Sequence, residues 1–151
     1  MTDPHHSALT VVIPFATLIL LGRKRWELRK MTCASAVGKK VPIIASKTHR
    51  IWGLVTVEAV EWKTMAELLQ DPEAHRVPRE GLEAYTDARD GCYVWKLRDP
   101  EILLHLMPVA RRSGSVNWVR LSPETCAQLA AAPKCPDLDA MNPALLHGLR
   151  V

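Results

Sequence analysis

Lys24, Glu27 and Arg29 sit in the stretch Gly22-Arg23-Lys24-Arg25-Trp26-Glu27-Leu28-Arg29, which sets four cations around a single carboxylate. Such crowding costs self-repulsion unless an anion is near, so the stretch marks a place to hold phosphate or an electron-rich group. On an extended backbone, Glu27 and Arg29 are two apart and point the same way, while Trp26 and Leu28 face the opposite side. Lys24, at the entry beside the glycine, can swing over the same opening. The carboxylate can then orient the cations or accept a hydrogen bond from a base or sugar hydroxyl. Spacing alone equally describes a surface strand of alternating charge.

Other residues could join this set. Residues 22–50 carry nine Lys/Arg against Glu27 alone, a local balance of +8 in a chain whose net charge is +4. A basic segment on a near-neutral body reads as a footprint for phosphate-bearing partners, or as a solvated basic face. The five tryptophans outnumber Phe and Tyr together. Trp52, beside the basic turn at 47–50, is the best candidate for stacking a nucleobase, and Trp95, inside an apolar strand, is the worst. The alternative for each is core packing with the indole N–H satisfied. Arg111 and Arg112 open a flexible turn over 111–117 that could clamp a phosphate or could be an exposed loop.

Several classes are excluded. Histidines 5, 6, 49, 75, 105 and 147 and cysteines 33, 92, 126 and 135 show no zinc-like spacing, so neither a metal nor a cofactor is expected. There is no glycine-rich phosphate loop and no Gly-x-Ser-x-Gly elbow. The thiols read as free, in a reduced cytoplasmic setting. The apolar run at 11–21 is shorter than the roughly 20 residues of a membrane span, and no cationic segment precedes it as in a signal peptide, so it is expected in the core.

The elements that must position these residues follow from pattern. At 151 residues, 48% apolar and 24% charged, the chain suits one domain with its own core. A buried strand is expected at 8–13, then a helix at 15–21 begun by Pro14 and ended by Gly22 in a left-handed cap. The octapeptide follows as a strand. Gly38-Lys39-Lys40 turns into a strand at 41–46, whose Pro42 implies an edge or a strand start. The stretch 51–62 is the longest β-rich run, with Thr64 capping a helix at 65–70. Residues 71–91 read as loop with a short helix around 79–88. Strands are expected at 92–97 and 102–109, interrupted at Asp99-Pro100-Glu101, and at 116–121. Ser122-Pro123-Glu124 opens a helix to about 132. Five or six short strands with segregated helices predict an α+β domain whose sheet is closed or nearly closed. The tail from 133 reads as a wrapping or partly disordered segment that could dock a protein partner.

The octapeptide also fits Gly-x-Lys-x-x-Glu-x-Arg, the signature of ASCH (activating signal cointegrator homology) domains of the PUA-like superfamily. Around it, Ile13-Pro14-Phe15-Ala16 resembles the helix before the signature. The segment 38–47 resembles the strand after it, Ile51-Trp52-Gly53-Leu54-Val55 the next, and Tyr93-Val94-Trp95-Lys96-Leu97 a late aromatic strand. The resemblance covers about residues 8–121. It implies a PUA-like β-barrel, a pseudo-barrel of five to six strands with flanking helices, over 8–132, followed by a proline-containing tail at 133–151. It implies a groove lined by Lys24, Glu27, Arg29, Ser46 and Lys47, and a protein that binds RNA or single-stranded nucleic acid. Arg23, Trp52, Arg111 and Arg112 complete the expected nucleic-acid contacts. The alternative is a hydrolase of a modified nucleoside, similar to the N4-acylcytidine amidohydrolases, or a ribonuclease. Lys24 and Glu27 would then be catalytic, but Glu27 stands where the amidohydrolases carry threonine, which puts that activity in doubt.

Overall fold

A computed structural model describes residues 7–86, 90–110 and 118–135. The expected basic turn with Arg111 and Arg112, and the tail beyond 135, lie outside the described residues. Strands β1 (Ser7–Val11), β2 (Trp26–Arg29), β3 (Lys40–Ala45), β4 (Arg50–Thr64), β5 (Gly91–Pro108) and β6 (Trp118–Arg120) form one sheet. Their order is β2-β5-β4-β3-β1-β6, with β1 and β3 parallel and the other pairs antiparallel. The helices are α1 (Phe15–Leu20), α2 (Met65–Gln70), α3 (Pro72–His75), α4 (Arg79–Thr86) and α5 (Pro123–Ala131).

The sheet curls but does not close, which corrects the closed form of the expectation. Three strands separate β2 from β1 in the order, yet the guanidinium of Arg29 on β2 donates to the carbonyl of Thr10 on β1 at 2.8 Å. Side chains, not a backbone ladder, span that gap, and the result is an α+β pseudo-barrel with a slot in its wall.

Local signals set most boundaries. Gly22 adopts φ +76° and its N–H closes onto the Ile19 carbonyl, so α1 ends where a residue without Cβ is favoured. Thr64 and Glu67 form a reciprocal capping box at the start of α2, and Ser122 caps α5 through the Thr125 N–H. Pro42 is the third residue of β3, and β1 pairs with β3 only from Ile43 onward, so the missing amide proton breaks no bond to β1. The break expected at Asp99-Pro100-Glu101 is a bulge instead. β5 runs through it as one strand, with pairing that passes from Thr56↔Arg98 to Leu54↔Glu101. The described start of the tail, residues 133–135, lies along β5, with the Cys135 N–H donating to the Ile102 carbonyl.

Inside the curl, α1 packs Ile19 and Leu20 against Val11, Val41, Val55, Trp52 and Trp95. On the other face of β2 and β5, Leu28, Cys92 and Val94 are covered by Leu68 of α2 and Leu82 of α4. The α1 layer sits close because Gly53 has no side chain. A Cβ there would lie 2.7 Å from a Leu20 methyl and collide with the Glu101 carbonyl of β5. Gly53→Ala is expected to cost about 1–3 kcal/mol, read as a lower denaturant midpoint; an unchanged midpoint would contradict this packing.

Candidate functional site

The turn after α1 aims Lys24 inward. The N–H groups of Arg23 and Lys24 both donate to the Leu18 carbonyl, at 2.9 and 3.0 Å, which fixes the backbone before β2 begins. The Lys24 side chain then runs under the fold and is 1% exposed. Its Nζ donates to the His75 carbonyl, lies 3.7 Å from Glu27 Oε1, and stands 4.6 Å from the centre of the Phe15 ring. Burial pulls the Lys24 pKa from 10.5 down to about 8, and the Glu27 carboxylate opposes that shift.

Glu27 and Arg29 share the other side of β2, as their spacing requires. Glu27 Oε2 accepts from both Nε and one terminal nitrogen of Arg29, at 3.1 and 2.7 Å. That same terminal nitrogen reaches Thr10, so one guanidinium neutralises the carboxylate and ties β2 to β1. Ser46 arrives from the end of β3, held by its N–H on the Val11 carbonyl at 2.8 Å.

These groups face one cavity of about 470 Å³ between β1 and β2. Lys24, Glu27, Arg29 and Ser46 supply its polar groups, Phe15 and Tyr85 bring aromatic rings, and Val77, Pro78 and Gly81 roof it. Burial raises the pKa of the Tyr85 phenol, and it pushes the thiol of Cys92, next to this charge cluster, up to about 11. At neutral pH both stay protonated. Among the described residues, no group of three or more His, Cys, Asp and Glu could hold a metal ion.

The structure therefore brings together four of the residues singled out in the sequence. Lys47 is exposed beside Ser46, in a left-handed conformation at φ +71°, and does not line the cavity. Arg23 is exposed and also outside the lining. Trp52 is the clear correction: it is 3% exposed within the core, so no base can stack on it. It lies on β4, opposite α1, where the apolar layer closes over its ring.

His75 had no sequence signal beyond being a lone histidine, and it organises the roof. Its Nδ1 accepts from the Val77 N–H at 3.0 Å, which leaves Nε2–H to donate to the Leu68 carbonyl at 2.7 Å. This neutral tautomer ties α2 to the start of the roof and presents the His75 carbonyl to Lys24. Burial lowers its pKa, in keeping with the neutral ring. Phe15 and Tyr85 were likewise unforeseen, because their contribution depends on α1 and α4 approaching β2 from opposite directions.

No family model matches the chain, and no curated protein matches it in sequence. Solved structures match it in shape. An ASCH protein from Zymomonas mobilis superimposes with a TM-score of 0.74 at 16% identity, over 87% of this chain and 98% of its own. A serine-to-alanine form of that protein gives 0.73 at 16% identity, over 88% of this chain and 100% of its own. A tyrosine-to-phenylalanine form gives 0.71 at 17% identity, over 84% and 98%. The chain has the fold of an ASCH domain, as the octapeptide and its surroundings implied. No helix among the described residues is long and apolar enough to cross a membrane.

The Lys24 shift has a thermodynamic signature. Its folded pKa, about 8, lies below the 10.5 of the free side chain, so between those values the unfolded chain binds a proton that the folded one does not. Stability must therefore rise with pH across that window. Relative to Lys24→Met, the native chain should gain about 3 kcal/mol between pH 8 and 10.5 in urea denaturation. The raised Cys92 pKa works in the opposite direction above pH 9, but it is present in both proteins and cancels to first order. Parallel stability curves for the two proteins would refute the buried ammonium.

Proposed function

We propose that the protein binds one nucleobase, within single-stranded RNA or as a modified nucleoside, inside the cavity between β1 and β2. The observation that carries this reading is how the site spends its charge. Lys24 and Arg29 are committed to Glu27 and to the backbone carbonyls of His75 and Thr10. They are poorly placed to neutralise a phosphate in an open groove, but a fixed polar cluster between Phe15 and Tyr85 suits the edge and faces of a base. The volume falls within the range of roughly 300–1,000 Å³ usual for small-ligand sites. Glu27 Oε1 accepts from an exocyclic amine or ring N–H, Ser46 meets the sugar, and exposed Lys47 next to it meets a phosphate.

Calorimetric titration with cytidine, N4-acetylcytidine and a short single-stranded RNA tests this. Stacking on an aromatic side chain contributes about 1–3 kcal/mol per base, so Tyr85→Leu should weaken all productive binding about tenfold. Lys47→Ala should weaken RNA alone. If none of the ligands binds, or if Tyr85→Leu binds them as tightly as the native chain, the cavity is not a base site.

One observation favours a hydrolytic reading as well. A lysine with a pKa of about 8 on a cavity wall is partly neutral at physiological pH, and can take a proton. Acting as a general base, it would give turnover of N4-acetylcytidine or RNA that rises with pH through about 8 and is lost in Lys24→Ala. Absence of turnover above that variant would leave the site as a binding site only.

A further inference from the structure

The cations of the octapeptide that the cavity does not use lie elsewhere. A second hollow, of about 250 Å³, is floored by Ile19, Val55 and Leu97 and edged by Arg25 and Arg98, and Lys24 lines both it and the base cavity. The backbone draws more arginines to the same place. Arg76 Nε donates to the Arg23 carbonyl at 3.1 Å, the Arg25 N–H donates to the Ala74 carbonyl, and the Leu97 N–H donates to the Arg25 carbonyl.

Arg23, Arg25 and Arg76 are exposed and form no ion pair among the described residues. Lys40, Lys63, Arg79 and Lys96, by contrast, each have a carboxylate partner. Arg98 pairs with Asp99 at 2.7 Å, but both are half-exposed or more, and a surface pair of that kind exchanges easily for a stronger anion. All four cations are arginines, whose planar fork matches phosphate oxygens two at a time. The apolar floor between them fits the uncharged flank of a sugar or base.

We propose that the Arg23, Arg25, Arg76 and Arg98 face binds the phosphodiester backbone of a single-stranded nucleic acid, the strand that delivers its base to the cavity on the far side of Lys24. This rests on the nucleobase reading of that cavity. The face supplies phosphate contacts that Lys24 and Arg29 cannot, since their charges are already matched.

The test uses the full chain and a fluorescently labelled single-stranded RNA, with affinity measured by anisotropy across a salt series. Each phosphate neutralised on a single strand contributes about −0.7 to the slope of log K against log salt. The double variant Arg25→Gln with Arg98→Gln should therefore flatten the slope by about 1.4 and weaken low-salt binding at least tenfold, by analogy with single phosphate contacts. Cytidine binding, which involves no phosphate, should be unchanged in that variant. An RNA affinity and slope equal to those of the native chain would overturn the proposal while leaving the base cavity standing. So would polyglutamate competing as well as unlabelled RNA, or native RNA binding indifferent to salt. Loss of cytidine binding by the native chain would count against the cavity instead.

Discussion

Everything around the cavity answers to one constraint, the charge of Lys24 held out of water. An uncompensated buried ammonium costs several kcal/mol, so the fold must surround it with partners. Glu27 supplies the counter-charge, the His75 carbonyl supplies an acceptor, and the face of Phe15 supplies a weaker attraction. Each comes from a different element, so satisfying Lys24 fixes α1, β2 and α3 relative to one another. Glu27 in turn draws in Arg29, and Arg29 reaches across to Thr10 of β1. The slot in the barrel wall persists because charged side chains, not a zipped ladder, occupy the space between β1 and β2.

That economy of charge decides what the basic stretch can do. Taken as a tally, Arg23, Lys24, Arg25 and Arg29 look like one phosphate-binding patch. In the folded chain they divide between two surfaces. Lys24 and Arg29 are internal and nearly neutralised, so they confer shape and hydrogen-bonding pattern on a cavity. Arg23 and Arg25 are external, where long-range attraction to a polyanion operates. A site that selects a base and a face that attracts a backbone are different tasks, and the alternation along one short segment lets it contribute to both.

Much of the fold was legible because its signals are local. Gly22, Thr64 with Glu67, and Ser122 with Pro123 act through their own neighbours, and each ends or begins a helix where the sequence says it should. The parity of Glu27 and Arg29 was legible for the same reason, since a strand has a period of two. Trp52 and His75 were not. Whether a tryptophan meets solvent or core depends on which helix closes over it, and the value of His75 lies in bonds to Leu68, Val77 and Lys24 that no spacing encodes. The bulge at Asp99 was misread as a break because its continuity depends on β4 pairing on both sides of it. Whether the sheet closes fully or only nearly was not legible, because closure depends on what stands between two strands far apart in the sheet.

The most direct test of this account is an NMR titration of the Lys24 side chain in the native protein, following its Cε resonance with pH. A midpoint near the value of about 8 is predicted. A midpoint at the ordinary 10.5 would mean that Lys24 is solvated, and the cavity built around its burial would not exist as described.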